Sequence, residues 1–157
     1  MSSNFKVKEL YMSQKTPTGT VLYTIEQAIK EYRKVCQKNI QKIVSDITVD
    51  QCLVLIILND NAKISQIEIA RLIFKDNASV TRIIELMVKK DYLTRETDEL
   101  DKRKTKLKIT KKGSDTIILL TPVFKLNRKT ALNGLSTDEI ELLDQILHKI
   151  ILNCKNS

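Results

Sequence analysis

The sequence predicts a mainly α fold with one small β element past its middle. Two observations carry this. Apolar residues recur at helical spacing over most of the chain, whereas from Tyr92 to Ile109 the period shortens to two. The composition agrees, because 42% of the 157 residues are apolar and only 3 Gly and 2 Pro interrupt them. That suits a single helix-rich domain over 1–157 and excludes a low-complexity chain.

A polar arm, residues 1–19, ends at the turn signal Pro17-Thr18-Gly19. Leu22, Ile25, Ile29, Tyr32 and Cys36 then recur three and four residues apart, and Ile40, Ile43 and Ile47 continue the stripe. Residues 20–47 are therefore expected as one long amphipathic helix. Thr48 with Gln51 forms a capping box, and the apolar body from Leu53 to Leu58 predicts a buried second helix. After the polar break Asn59 to Lys63, Ile64 is expected as a short strand. Ser65 and Glu68 make a second capping box, opening a third helix with Ile67, Ala70 and Ile73 inward.

Asp76 is expected to cap a fourth helix. Its spacing sets Val80, Ile83, Ile84, Met87 and Val88 on one side and Asn77, Ser79, Thr81, Arg82, Glu85 and Lys89 on the other. Leu93, Arg95 and Thr97 then alternate with Thr94 and Glu96, and Thr105, Leu107 and Ile109 with Lys106 and Lys108, predicting two antiparallel strands. The charged stretch Asp98 to Arg103 projects between them as a loop. Helical spacing returns beyond Gly113 through Ile117, Leu120, Phe124 and Leu126, with a kink expected at Pro122. A third capping box at Ser136 and Glu139 opens a last helix whose face carries Leu143, Ile146, Leu147, Ile150 and Ile151.

A helix-turn-helix at about 66–90 followed by a hairpin at about 93–109 is a winged helix-turn-helix, spanning 64–113. The formal net charge of +8 favours a polyanionic partner. Position sharpens this, since Lys102, Arg103, Lys104, Lys106, Lys108, Lys111 and Lys112 follow one another with no acid between them. On a duplex such a run displaces condensed counterions. The short polar side chains Asn77, Ser79 and Thr81 can approach base edges or phosphates, and Arg82 can pair with guanine or phosphate.

Other classes find little support. His148 stands alone, and Cys36, Cys52 and Cys154 are widely spaced, so no metal site, disulfide framework or nucleophile-histidine pair is suggested. The sequence calls for no cofactor and reads as a non-enzyme. Cys36 and Cys52 sit in apolar patterns and are expected to be buried, inert thiols. No signal-peptide pattern or run of ~18 apolar residues occurs, so a cytoplasmic protein without a membrane partner is expected.

The blocks Ile64 to Ala70, Asp76 to Arg82, Asp98 to Arg103 and Ile109 to Gly113 together resemble the MarR family of bacterial transcription regulators. The likeness extends from about Thr20 to Asn153. It implies that Ala78, Ser79, Thr81 and Arg82 lie at or near the DNA face of the recognition helix. It also implies that Arg103 reaches a minor groove from the wing while Asp101 holds its guanidinium. The candidate DNA-binding set is then Ser65, Asn77, Ala78, Ser79, Thr81, Arg82, Lys89, Asp101, Lys102, Arg103 and Lys104.

The expected function is a homodimeric repressor on a pseudo-palindromic double-stranded DNA operator. The resemblance adds a small aromatic or lipophilic effector as partner. Dimerisation falls to residues 20–47 and 114–153, which carry more apolar surface than the winged unit can cover. Phe74 stands where the family usually has Gly, followed by Lys75 where an apolar residue is common. Because Phe takes φ > 0 only at a cost, the turn and the tilt of the recognition helix are expected to depart from the family's. A winged-helix protein-interaction scaffold without specific DNA binding is the alternative.

Overall fold

The computed structural model describes residues 17–97 and 105–157. A 3-10 turn at Pro17–Gly19 leads into α1 (Val21–Gln41), α2 (Val49–Asp60), α3 (Gln66–Leu72) and α4 (Asn77–Lys89). The hairpin strands β1 (Leu93–Thr97) and β2 (Thr105–Ile109) follow, then α5 (Lys111–Ala131) and α6 (Thr137–Lys155).

Every helix starts on a side-chain cap. Thr48, Ser65 and Ser136 form reciprocal capping boxes with Gln51, Glu68 and Glu139. Thr20, Asp76 and Thr110 accept from Tyr23, Ser79 and Gly113 backbone N–H groups. Each such cap is worth ~1 kcal/mol, which explains why sharp helix starts survive in a chain so poor in Gly and Pro.

Four local expectations are corrected. The first helix stops at Gln41 rather than running to Ile47. The Ile40 carbonyl accepts both the Ile43 and the Val44 N–H at 2.9 Å, tightening the end. Gln37 then holds the returning chain, donating to the Ile47 carbonyl at 3.2 Å and accepting from the Val49 N–H at 3.0 Å. Ile47 thus reaches the core through a turn, while Ile43 stays exposed.

Ile64 forms no strand; its N–H closes a turn onto the Asn61 carbonyl at 3.2 Å. In α3, Ala70 and Ile73 are buried as expected, but the third inward residue is Ile69 while Ile67 stays exposed, because either isoleucine shares a face with those two and the neighbouring elements choose. Finally, α5 begins at Lys111 under the Thr110 cap and continues through Pro122 to Ala131. Proline removes the donor for the carbonyl four residues earlier, and that residue, Ile118, faces solvent.

The core lies where α2, α4, the wing base and α5 meet. Val54, Leu55, Ile69, Val80, Ile84, Met87, Tyr92, Leu93 and Leu120 are all essentially inaccessible. The strands pair antiparallel with Leu93 opposite Ile109 and Arg95 opposite Leu107, so one face of the hairpin base closes the core. Gly113 makes that closure feasible. A Cβ there would lie 2.5 Å from the Tyr92 carbonyl oxygen and 2.7 Å from Ile109 Cγ2. In contrast, α6 buries none of its residues.

Candidate nucleic-acid interface

The recognition-helix candidate α4 is held from beneath by Val80, Ile84 and Met87, which leaves Asn77, Ala78, Arg82 and Lys89 exposed on its far side. At its start, Asp76 accepts the Ser79 N–H and the Ser79 hydroxyl, each at 2.8 Å. Those two donors hold the Asp76 carboxyl below the usual carboxylate range. The Ser79 oxygen keeps lone pairs but has committed its proton.

Thr81 is more constrained than its exposed-face pattern suggested. Its hydroxyl donates to the Asn77 carbonyl at 2.8 Å and accepts from the Gln66 side chain. It therefore ties α3 to α4. Gln66 was not singled out from sequence, and no local signal marks it: its partner lies fifteen residues away, and only the helix crossing brings them together. Ser65 is likewise occupied, donating to Glu68 Oε2 at 2.6 Å while accepting the Glu68 N–H. Arg82 and Lys89 differ: among the described residues, nothing pairs with either side chain.

The turn before α4 adopts the geometry that Phe74 was expected to resist. Phe74 has φ 56°. Its N–H bonds the Arg71 carbonyl at 3.3 Å, and the Lys75 N–H reaches back to the Ala70 carbonyl at 3.0 Å. This is a Schellman ending with Phe in the position usually given to Gly. The left-handed residue costs ~1–2 kcal/mol without Gly, and Phe74, 92% exposed, recovers nothing by packing. The chain thus makes the tight turn without Gly, at the cost of a left-handed Phe.

The basic run is acid-free in sequence but not in space. Lys108 pairs with Glu96 at 3.1 Å and Lys111 with Asp115 at 2.8 Å. Lys112 lies 3.7 Å from Asp46, donates to the Lys90 carbonyl at 2.8 Å, and sits 4.2 Å above the Tyr92 ring. Acids outside the run, Glu96, Asp115 and Asp46, therefore lie against its C-terminal half. Asp101, Lys102, Arg103 and Lys104 lie outside the described residues.

The remaining chemistry is sparse. No group of three or more His, Cys, Asp or Glu that could hold a metal occurs among the described residues, and no described helix is long and apolar enough to cross a membrane. Cys36 and Cys52 are buried, and burial pushes the Cys52 thiol up to about 12, far from reactive thiolate. The apolar recess between α2 and α5, lined by Cys52, Leu55, Thr116 and Phe124, has no room for a water molecule.

Residues 45–104 match the MarR family. Among solved structures, the chain is similar to Bordetella bronchiseptica BpsR, whose DNA binding is regulated by 6-hydroxynicotinic acid. That match has 21% identity and a TM-score of 0.77 over 88% of this chain and 97% of that one. It is similar to a mutant MarR from E. coli complexed with operator DNA, at 22% identity and TM-score 0.74 over 85% and 93% of the two chains. The S. aureus MepR–DNA complex matches at 21% identity and TM-score 0.77 over 85% and 98%. The fold is thus the mainly helical, winged fold of these regulators.

Proposed function

We propose that this chain, whose winged segment matches the MarR family, is a cytoplasmic, sequence-specific double-stranded DNA-binding transcription regulator. It acts as a homodimeric repressor on a pseudo-palindromic operator. The observation that carries this reading is the outer face of α4, where Arg82 and Lys89 stand exposed, with no partner among the described residues, beside Asn77 and Ala78. A rigid helix with its inner side locked in the core can enter a major groove without reordering itself.

Arg82 supplies the fork that pairs with guanine or phosphate, Ser79 accepts from a base edge, and Thr81 keeps α4 at its angle to α3. From the wing, Lys102 and Lys104 meet phosphates while Arg103, steadied by Asp101, enters the minor groove. Dimerisation through α1, α5 and α6 sets two such units about 10 base pairs apart. The apolar face of α6 that the described residues leave uncovered supports this assembly. A small aromatic or lipophilic effector releases the complex.

Selection of bound genomic fragments followed by footprinting tests the reading. A protected palindrome is expected, with affinity falling in salt by ~0.9 in log–log slope per phosphate contacted. Arg82→Ala and Arg103→Ala should each cost about 1–3 kcal/mol of binding. A protein whose duplex binding is weak and insensitive to salt, or survives both substitutions unchanged, overturns the assignment.

A further inference from the structure

The turn joining α1 to α2 and the first turn of α2 carry two carboxylates that grip opposite ends of the DNA-reading unit. Asp46 accepts the Tyr92 hydroxyl at 2.6 Å, and its backbone carbonyl accepts the Lys90 ammonium. Its other carboxylate oxygen lies 3.7 Å from Lys112 Nζ, which itself bonds the Lys90 carbonyl and covers the Tyr92 ring. Lys90, Tyr92 and Lys112 are the cap residue just after α4, the residue before β1 and the second residue of α5. The Tyr92 hydroxyl foremost, then Lys112 and Lys90, hold the Asp46 carboxyl below the usual carboxylate range, so it is ionised at neutral pH.

Asp50, in the first turn of α2, pairs with Arg33 of α1 and lies 3.6 Å from Lys75 Nζ. Lys75 belongs to the turn immediately before α4. Both ends of α4 are therefore tied to residues 46–50, and that segment is itself bound to α1 through Gln37. Surface ion pairs as exposed as these add little stability. Their arrangement around both ends of one helix has a geometric consequence that their energy does not.

The geometry points to residues 46–50 as a two-carboxylate yoke that sets the tilt of α4 and the wing against α1, with Asp46, Asp50 and Tyr92 as positioning residues. This rests on the reading of the protein as a dimeric DNA binder. In such a dimer the tilt fixes the separation of the two recognition helices, so the yoke governs which half-site spacing is accepted and does not touch a base.

The test uses the full chain and its Asp46→Asn, Asp50→Asn and Tyr92→Phe variants, each checked by thermal melting and sedimentation. Each is titrated on the selected palindrome, on the same duplex with one base pair added or removed between half-sites, and on a single half-site. Wild type should prefer its own spacing. The variants should lose about tenfold on the native palindrome, the scale of one charge-assisted hydrogen bond, while half-site affinity changes by less than about twofold. Spacing preference then flattens.

An equal loss on every duplex, or an unchanged spacing preference, overturns the yoke. A wild-type protein that binds none of the duplexes overturns the regulator reading and this inference with it. Where Asp46→Asn fails to fold, Tyr92→Phe keeps the buried ring, loses only the hydroxyl, and carries the same decision.

Discussion

Helices α4 and α6 are both amphipathic and both begin on a side-chain cap, yet they meet opposite fates. In α4, Val80, Ile84 and Met87 are wholly inaccessible, whereas in α6, Leu143, Ile146 and Ile151 remain 44%, 44% and 48% exposed. The difference lies outside the two helices. α4 is enclosed by α2, α3 and β1, while α6 follows the Gly134 turn and, among the described residues, is buried by none of its neighbours. An apolar stripe specifies a face; only packing specifies what covers it.

Substitution at matched positions should widen this contrast most. Ile84→Ala is expected to cost about 2–5 kcal/mol in urea unfolding, since it opens a cavity in a filled core. Ile146→Ala in α6 should leave the stability of dilute, single chains nearly unchanged and weaken only the concentration-dependent part. If both changes cost the same in dilute solution, the two helices are not differently supported and the contrast fails.

On the winged side, Gly113→Ala comes next. The new methyl would meet the Tyr92 carbonyl oxygen, a backbone atom that cannot step aside. Overpacking of this kind costs about 1–3 kcal/mol and should lower the melting temperature accordingly. An equivalent Gly134→Ala meets no atom within 4 Å, but its φ of 86° makes it strained through the backbone alone.

Acid titration probes how the winged unit is sealed. Asp46 has its folded pKa below the ordinary 3.8, chiefly through the Tyr92 hydroxyl. Its stabilising contribution is therefore complete above that value and disappears as pH falls through the lower folded one. Asp46→Asn should remove part of the stability gradient below about pH 4, by less than about 1 kcal/mol because the site is half exposed. An unaltered gradient would remove Asp46 from the seal.

The smallest effect is expected at Phe74, where the winged unit itself exposes an apolar side chain as α6 does. Phe74→Gly relieves the left-handed strain and loses no packing, but it adds freedom to the unfolded chain. The sum should fall between no change and a gain of about 1 kcal/mol by chemical denaturation. A clear loss would mean that the ring is covered in solution.

Most of the fold was legible because its signals are local. The caps at Thr48, Ser65, Asp76 and Ser136, the alternation in the hairpin and the inner face of α4 all depend on residues within a turn or a strand of each other. Where two phases or two endings satisfied the pattern, at Ile67 against Ile69 and at Gln41 against Ile47, sequence had no means of choosing. The candidate DNA face was legible in the same way, as the polar side of α4. Its hydrogen-bond state was not, because Gln66 reaches Thr81 only through the α3–α4 crossing.

Sequence by itself determined the helices, the caps at Thr48, Ser65, Asp76 and Ser136, the hairpin and the polar side of α4, since each follows from backbone donors satisfied nearby and from periodicity. Tertiary structure alone decided which charges remain available. Lys108 and Lys112 looked free in a run without acids until folding placed Glu96 and Asp46 beside them, whereas Arg82 and Lys89 have no partner among the described residues. Charge acts through distance in space, and a chain of residues records only distance along itself.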